Sequence, residues 1–121
     1  MGMNIQDFYC IIGEDYLSFY NRLPDQKSIA SFVKKFPGDE NYEKLLESIS
    51  EKNYAAAYQY AMTLKGIALN LSFTKLADVS TEMIDYLKNS NFPDAKTVRQ
   101  IMHKITEIYT NIIVSIQQYA L

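Results

Sequence analysis

The sequence predicts an all-α protein: an antiparallel four-helix bundle with shorter N-terminal helices capping one end. Three observations carry that expectation. Apolar residues make up 48% of the 121 residues, while Gly (4) and Pro (3) are scarce, which fits neither an all-β nor a disordered chain. Apolar side chains recur at helical spacing over several long stretches. The turn signals between those stretches leave short links, and short links make consecutive helices antiparallel neighbours. The length suits one domain better than two, so residues 1–121 read as a single unit.

Taken in order, the stretch from Asn4 to about Tyr20 reads as one or two short helices. Ile5, Phe8, Tyr9 and Ile12 share a face, and Gly13 is the break. Leu23-Pro24-Asp25 starts the next helix, with Ile29, Phe32, Val33 and Phe36 inward, and Pro37-Gly38-Asp39 ends it. A further helix carries Tyr42, Leu45, Leu46 and Ile49. Ser50 to Asn53 are a polar link to a long helix over about Tyr54 to Leu71. Ser72 or Thr74 opens the next, with Leu76, Ala77, Met83, Ile84 and Leu87 inward, and Asn89 to Asp94 are a loop. The last helix runs from about Ala95 to Tyr119 on the stripe Val98, Ile101, Met102, Ile105, Ile108, Tyr109, Ile112 and Ile116. The β-branched run Ile112-Ile113-Val114 keeps helical spacing and is read as helix.

Composition excludes several functions. The net charge of −2 with no basic block argues against nucleic-acid binding, which needs clustered Lys and Arg. No apolar run approaches the roughly 18 residues that cross a bilayer, and no basic segment precedes an apolar one at the N-terminus. Met1-Gly2 lacks the Ser or Thr of a myristoylation start, having Gln6 instead. The single cysteine, Cys10, fits a reducing compartment, so the chain is expected to be cytoplasmic, with no membrane association. One histidine cannot build the Glu-x-x-His pairs of a di-metal bundle. No glycine-rich phosphate loop and no Ser/His/Asp set is present. No metal, no cofactor and no enzymatic activity are expected. The ten tyrosines are expected to fill helix corners with their hydroxyls outward.

The central helix carries the unusual pattern. At about 100° per residue, Ala57, Ala61, Leu64, Ala68 and Leu71 share the core-facing side, and Met62 lies about 130° away. Tyr58, Gly66 and Leu69 fall near Met62, and Lys65 flanks them, so a second, outward stripe of apolar and small residues emerges. A mid-helix glycine costs about 1 kcal/mol relative to Ala, so Gly66 needs a reason, such as close approach of another backbone. Two readings stand: another helix of the same bundle covers the stripe, or it is a docking patch for a partner.

Ala61-Met62-Thr63-Leu64-Lys65-Gly66 resembles the hallmark of histidine-containing phosphotransfer (HPt) domains, Ala-His-x-Leu-Lys-Gly on a central bundle helix. Phe32-Val33-Lys34-Lys35-Phe36 resembles that family's helix preceding the bundle. Leu45-Leu46-Glu47-Ser48-Ile49 with Asn53-Tyr54 resembles its next helix and link. Asn70-Leu71-Ser72-Phe73 resembles the segment after the hallmark, with Ser72 in place of the usual Gly, where Ser can cap a helix. Leu76 fits the helix that follows. The resemblance covers about residues 5 to 90, and the final helix is compatible with it.

In that family a solvent-facing imidazole accepts a phosphoryl group from one receiver aspartate and passes it to another. This chain has Met62 at the acceptor position, and a thioether has no proton to lose and forms no stable phosphoryl adduct. His103 lies roughly 160° from Ile105 on the last helix, outside any Lys-Gly context, and reads as a surface histidine, with Glu107 one turn on as a surface pair. The resemblance implies a pseudo-phosphotransfer protein of two-component signalling. It would dock a response-regulator receiver domain or a histidine kinase through Tyr58, Met62, Lys65, Gly66 and Leu69 without accepting phosphate, as a monomer. Lys65 would face the receiver's acidic pocket. The rival expectation is a helical protein-interaction or self-association module unrelated to receivers.

Overall fold

A computed structural model describes residues 4–22 and 26–119. Among these residues the secondary structure is helical throughout, with no strand. Seven α-helices are formed: α1 (Ile5–Ile11), α2 (Tyr16–Arg22), α3 (Gln26–Lys35), α4 (Asn41–Ser50), α5 (Tyr54–Asn70), α6 (Thr74–Asn89) and α7 (Ala95–Tyr119), with a 3-10 turn, Phe36–Gly38, after α3. Leu23-Pro24-Asp25, expected to open the third helix, lie outside the described residues. Ile112-Ile113-Val114 are helical, as their spacing predicts.

Helix boundaries follow from local chemistry. The side chains of Asn4 and Asn53 accept hydrogen bonds from the amides of Asp7 (2.8 Å) and Ala56 (3.2 Å), each serving a free donor of the first turn. Asp94 does the same for α7, accepting from the amide and hydroxyl of Thr97. The C-termini of α1, α4 and α5 share one device. Gly13, Lys52 and Ser72 hold φ of 75°, 58° and 57°, and the next amides (Glu14, Asn53, Phe73) reach back to the carbonyls of Tyr9, Ser48 and Ala68 at 2.8–2.9 Å. Glycine adopts this left-handed conformation freely, whereas Lys52 and Ser72 bear a cost of about 1–2 kcal/mol each. Ser72 therefore ends α5, and of the two residues expected to open the next helix it is Thr74 that begins α6. The residue preceding α6 is Phe73, which makes no side-chain cap bond. Glu14, sixty residues away in sequence, takes that role by accepting from the Thr74 hydroxyl and the Lys75 amide.

Packing runs α4 on α5, α5 on α6 and α6 on α7, with a lesser contact closing α7 back on α4. Every inward residue expected on α6 is buried, and so is the α7 stripe except half-buried Ile108. Ala57, Ala61, Leu64 and Ala68 are fully buried, and their small side chains let α4 and α6 approach α5 closely. Helix α1 packs on α7 and α3. The seam is aromatic: Phe8, Tyr9 and Phe36 surround Phe73 with ring centroids 5.3–6.2 Å apart, and Tyr109 lies 5.7 Å from Phe36 and stacks on Tyr42 at 3.9 Å.

Three expectations need correction. Phe32 and Leu46 were expected in the core but are 49% and 45% exposed. Each is adjacent in sequence to a fully buried residue, Val33 or Leu45, and a 100° step takes it off the core face. The tyrosine hydroxyls do not all point outward. Tyr9 is fully buried and donates to the Leu71 carbonyl at 2.6 Å, tying α1 to the α5–α6 corner, and Tyr16 is buried as well.

Candidate functional site

Helix α5 is fixed at both ends, by Asn53 at its start and by the left-handed turn at Ser72, and is gripped along its inner side by α4 and α6. That leaves its other side outward. Met62 is 46% exposed and Leu69 45%, Gly66 is exposed, and Tyr58 and Lys65 are half-buried. Met62, Gly66 and Leu69 thus lie on the outward side, whereas Tyr58 packs partly against the core and Lys65 stands at the edge between the two sides.

Gly66 decides between the two readings of that stripe. A β-carbon built at Gly66 would meet no atom within 4 Å, other than those of the helix's own local backbone. No other described helix covers Gly66, so the reading in which the chain's own helices bury the stripe fails at this position. Close intramolecular approach is not what a glycine serves here. By contrast, Gly13 holds φ 75°, a conformation that a side chain would strain, so it is constrained by its own fold.

The chemistry available on this face is limited. The Met62 thioether is neither acid nor base. The neighbouring Thr63 hydroxyl donates to the Gln59 carbonyl at 3.2 Å. Lys65 is the one charge of the five residues, and it forms no ion pair among the described residues. The face thus combines exposed apolar surface, a cation at its edge and a flat spot at Gly66, features of a contact surface more than of a reaction centre.

His103 is not brought to this face. It stands on α7, largely exposed, 3.0 Å from Glu107 on the next turn, and its other surroundings are a groove shared with Leu46, Lys52 and Arg99. Sequence reading missed that groove. Arg99 and His103 are spaced to share one side of α7, but Lys52 arrives from a link some fifty residues earlier. Among the described residues no group of three or more His, Cys, Asp or Glu side chains is arranged to hold a metal, and no helix is long and apolar enough to cross a membrane.

The ionisations of Asp94 and Tyr109 are shifted by their surroundings. Hydrogen bonds from the Thr97 side chain and backbone hold the Asp94 carboxyl below its ordinary value. Burial, followed by the negative charges of Glu43 and Asp39, pushes the Tyr109 phenol above its ordinary value. Both groups serve the scaffold, and neither lies on the outward face of α5. Compared with known protein families, with curated proteins and with solved structures, the chain finds no match in any of the three.

Proposed function

We propose that this protein is a pseudo-phosphotransfer domain. In this reading α4 to α7 form an antiparallel four-helix bundle of HPt type, capped by the N-terminal helices, and the outward face of α5 docks a receiver domain or a histidine kinase without taking phosphate. The single observation that carries the proposal is Gly66. Its mid-helix glycine is unfavourable for α5 by about 1 kcal/mol, its β-carbon position is open among the described residues, and it stands in the Leu64-Lys65-Gly66 context four residues after exposed Met62. A partner backbone approaching α5 supplies the reason that the fold does not. Lys65 would then meet acidic groups around a receiver's phosphorylation site, and Met62 would fill the space of an imidazole without its nucleophilicity. The protein would act non-enzymatically, as an adaptor, decoy or attenuator.

The rival, an interaction module unrelated to receivers, draws support from one observation. Phe92 is 93% exposed at the tip of the α6–α7 loop, which is anchored by the Asp94 amide donating to the Tyr86 hydroxyl at 2.8 Å. A held, exposed aromatic is a contact element outside the α5 face.

The substitution Met62→His separates the two. The site is exposed and the side chains are of similar length, so stability should change by no more than about 1 kcal/mol. With a docking face shaped for receivers, the variant should take acid-labile, base-stable label from at least one phosphorylated receiver encoded in the same genome, while Met62→Gln takes none. A folded Met62→His that is labelled by no receiver, in a protein that binds none, overturns the proposal in favour of the rival.

A further inference from the structure

Apart from the α5 face, a groove of about 500 Å³ opens between α4, the α4–α5 link and the first turns of α7. That volume is within the range, roughly 300–1,000 Å³, of sites that hold small organic molecules. Leu46, Tyr54 and Met102 supply apolar surface, and Lys52, Arg99 and His103 supply cationic or proton-donating groups. No carboxylate lines it, although the chain carries a net charge of −2. The acids that adjoin it are engaged or turned aside: Glu107 pairs with His103, Asp94 is occupied by Thr97, and Glu51, next to Lys52 in sequence, is not part of the lining. Lys52 and Arg99 form no ion pair among the described residues. Lys52 also holds φ 58°, a conformation that glycine would adopt without strain, so its side chain brings a charge to the groove at a backbone position ill suited to it.

We propose that this groove binds a small organic oxyanion with an apolar body. A ring or short chain lies on Leu46, Tyr54 and Met102. The carboxylate or phosphate head is held by the Arg99 guanidinium, whose planar fork matches two oxygens, and by the Lys52 ammonium, with His103 as a further donor. None of Tyr58, Met62, Lys65, Gly66 and Leu69 takes part, so the groove and the α5 face stand or fall separately.

The test is an amide NMR titration of the full chain with three probes that share one ring system: naphthalene-2-carboxylate, 2-naphthyl phosphate and the uncharged naphthalene-2-methanol. At least one anion should shift amides of residues 46–54 and 95–103 and bind about tenfold or more tighter than the alcohol, the tighter of the two identifying the head group. Arg99→Gln and Lys52→Gly should each weaken that anion about tenfold, the loss of one charge-assisted contact. Lys52→Gly should do so while raising the melting temperature, because it relaxes the turn. A purely structural role for Lys52 would leave affinity unchanged. Equal binding of the alcohol, shifts centred elsewhere, no saturable shift at millimolar probe, or parent-like affinity in both variants would overturn the proposal.

Discussion

Helices α5 and α7 are the two long central elements of this protein, and their residues answer to different constraints. On α7 the main apolar stripe is buried but for half-buried Ile108, with Val114 exposed beside it, and the opposite side carries charge: His103 with Glu107, and Lys104 with Glu82 across to α6. Burial and ion pairing account for the stripe and for these charges, though not for Arg99 or Val114. Helix α5 is apolar with no dominant face. Its inner side is as well packed as that of α7, with Ala57, Ala61, Leu64 and Ala68 fully buried, yet its outer side exposes Met62, Gly66 and Leu69. Gly66 costs helix stability and its β-carbon position is open among the described residues, so its cause must be sought outside the fold. The comparison teaches where to look for a partner's contact: the outer side of α5 rather than the main stripe of α7.

The sharpest way to break this contrast is truncation of side chains. Leu64→Ala on the inner side of α5 and Ile105→Ala on α7 should each cost about 2–5 kcal/mol, since both residues are fully buried and leave a cavity. Met62→Ala should fall within about 0.5 kcal/mol of the parent, as for a surface substitution. Urea denaturation of the three variants measures this. A loss above 2 kcal/mol for Met62→Ala would mean that the outer side of α5 belongs to the fold after all.

Gly66→Ala sharpens the same point with a smaller effect of opposite sign. Nothing obstructs a β-carbon there, so the helix should gain about 1 kcal/mol, read as a higher urea midpoint at unchanged slope. If the glycine serves a partner, the more stable variant should bind that partner less tightly, and Gly66→Arg should abolish binding while leaving the fold intact. A stabilised Gly66→Arg that binds a receiver as well as the parent does would remove Gly66 from the docking surface.

The smallest expected effect is a pH dependence on the α7 side. Tyr109 ionises above its ordinary value of 10.0 in the folded protein, first because it is buried and then because of Glu43 and Asp39. A folded value raised above the unfolded one means that the unfolded chain releases its proton first. The contribution to stability is complete below about pH 10 and is lost as pH rises through the folded value. Stability should therefore fall above pH 10, and Tyr109→Phe should flatten that part of the profile. An unchanged alkaline slope in Tyr109→Phe would assign the loss to other tyrosines.

Much of the scaffold was legible before any coordinates. The period of apolar residues placed α4 to α7 to within a residue or two, because a helix that must bury one side writes that side into its sequence at 3.6-residue spacing. The exposure of Met62, Gly66 and Leu69 was legible for the same reason, whereas the partial packing of Tyr58 on the core was not. Errors arose where adjacent apolar residues compete for one buried position: Leu45 and Val33 won, and Leu46 and Phe32 were left outside. A one-residue step turns a side chain by about 100°, and composition does not say which of two neighbours the core will take.

By itself, the sequence determined the helical class, the extent of the long helices, the inward set on α5 and the absence of an imidazole at position 62. These are local properties, set by backbone hydrogen bonding and by which side chains water rejects. Only the tertiary structure decided that Gly66 is uncovered among the described residues, that Glu14 caps α6 from sixty residues away, and that Lys52 joins Arg99 and His103 around one groove. Each depends on where two distant segments come to rest against one another, and that is settled by the packing of the whole chain, which no local pattern encodes.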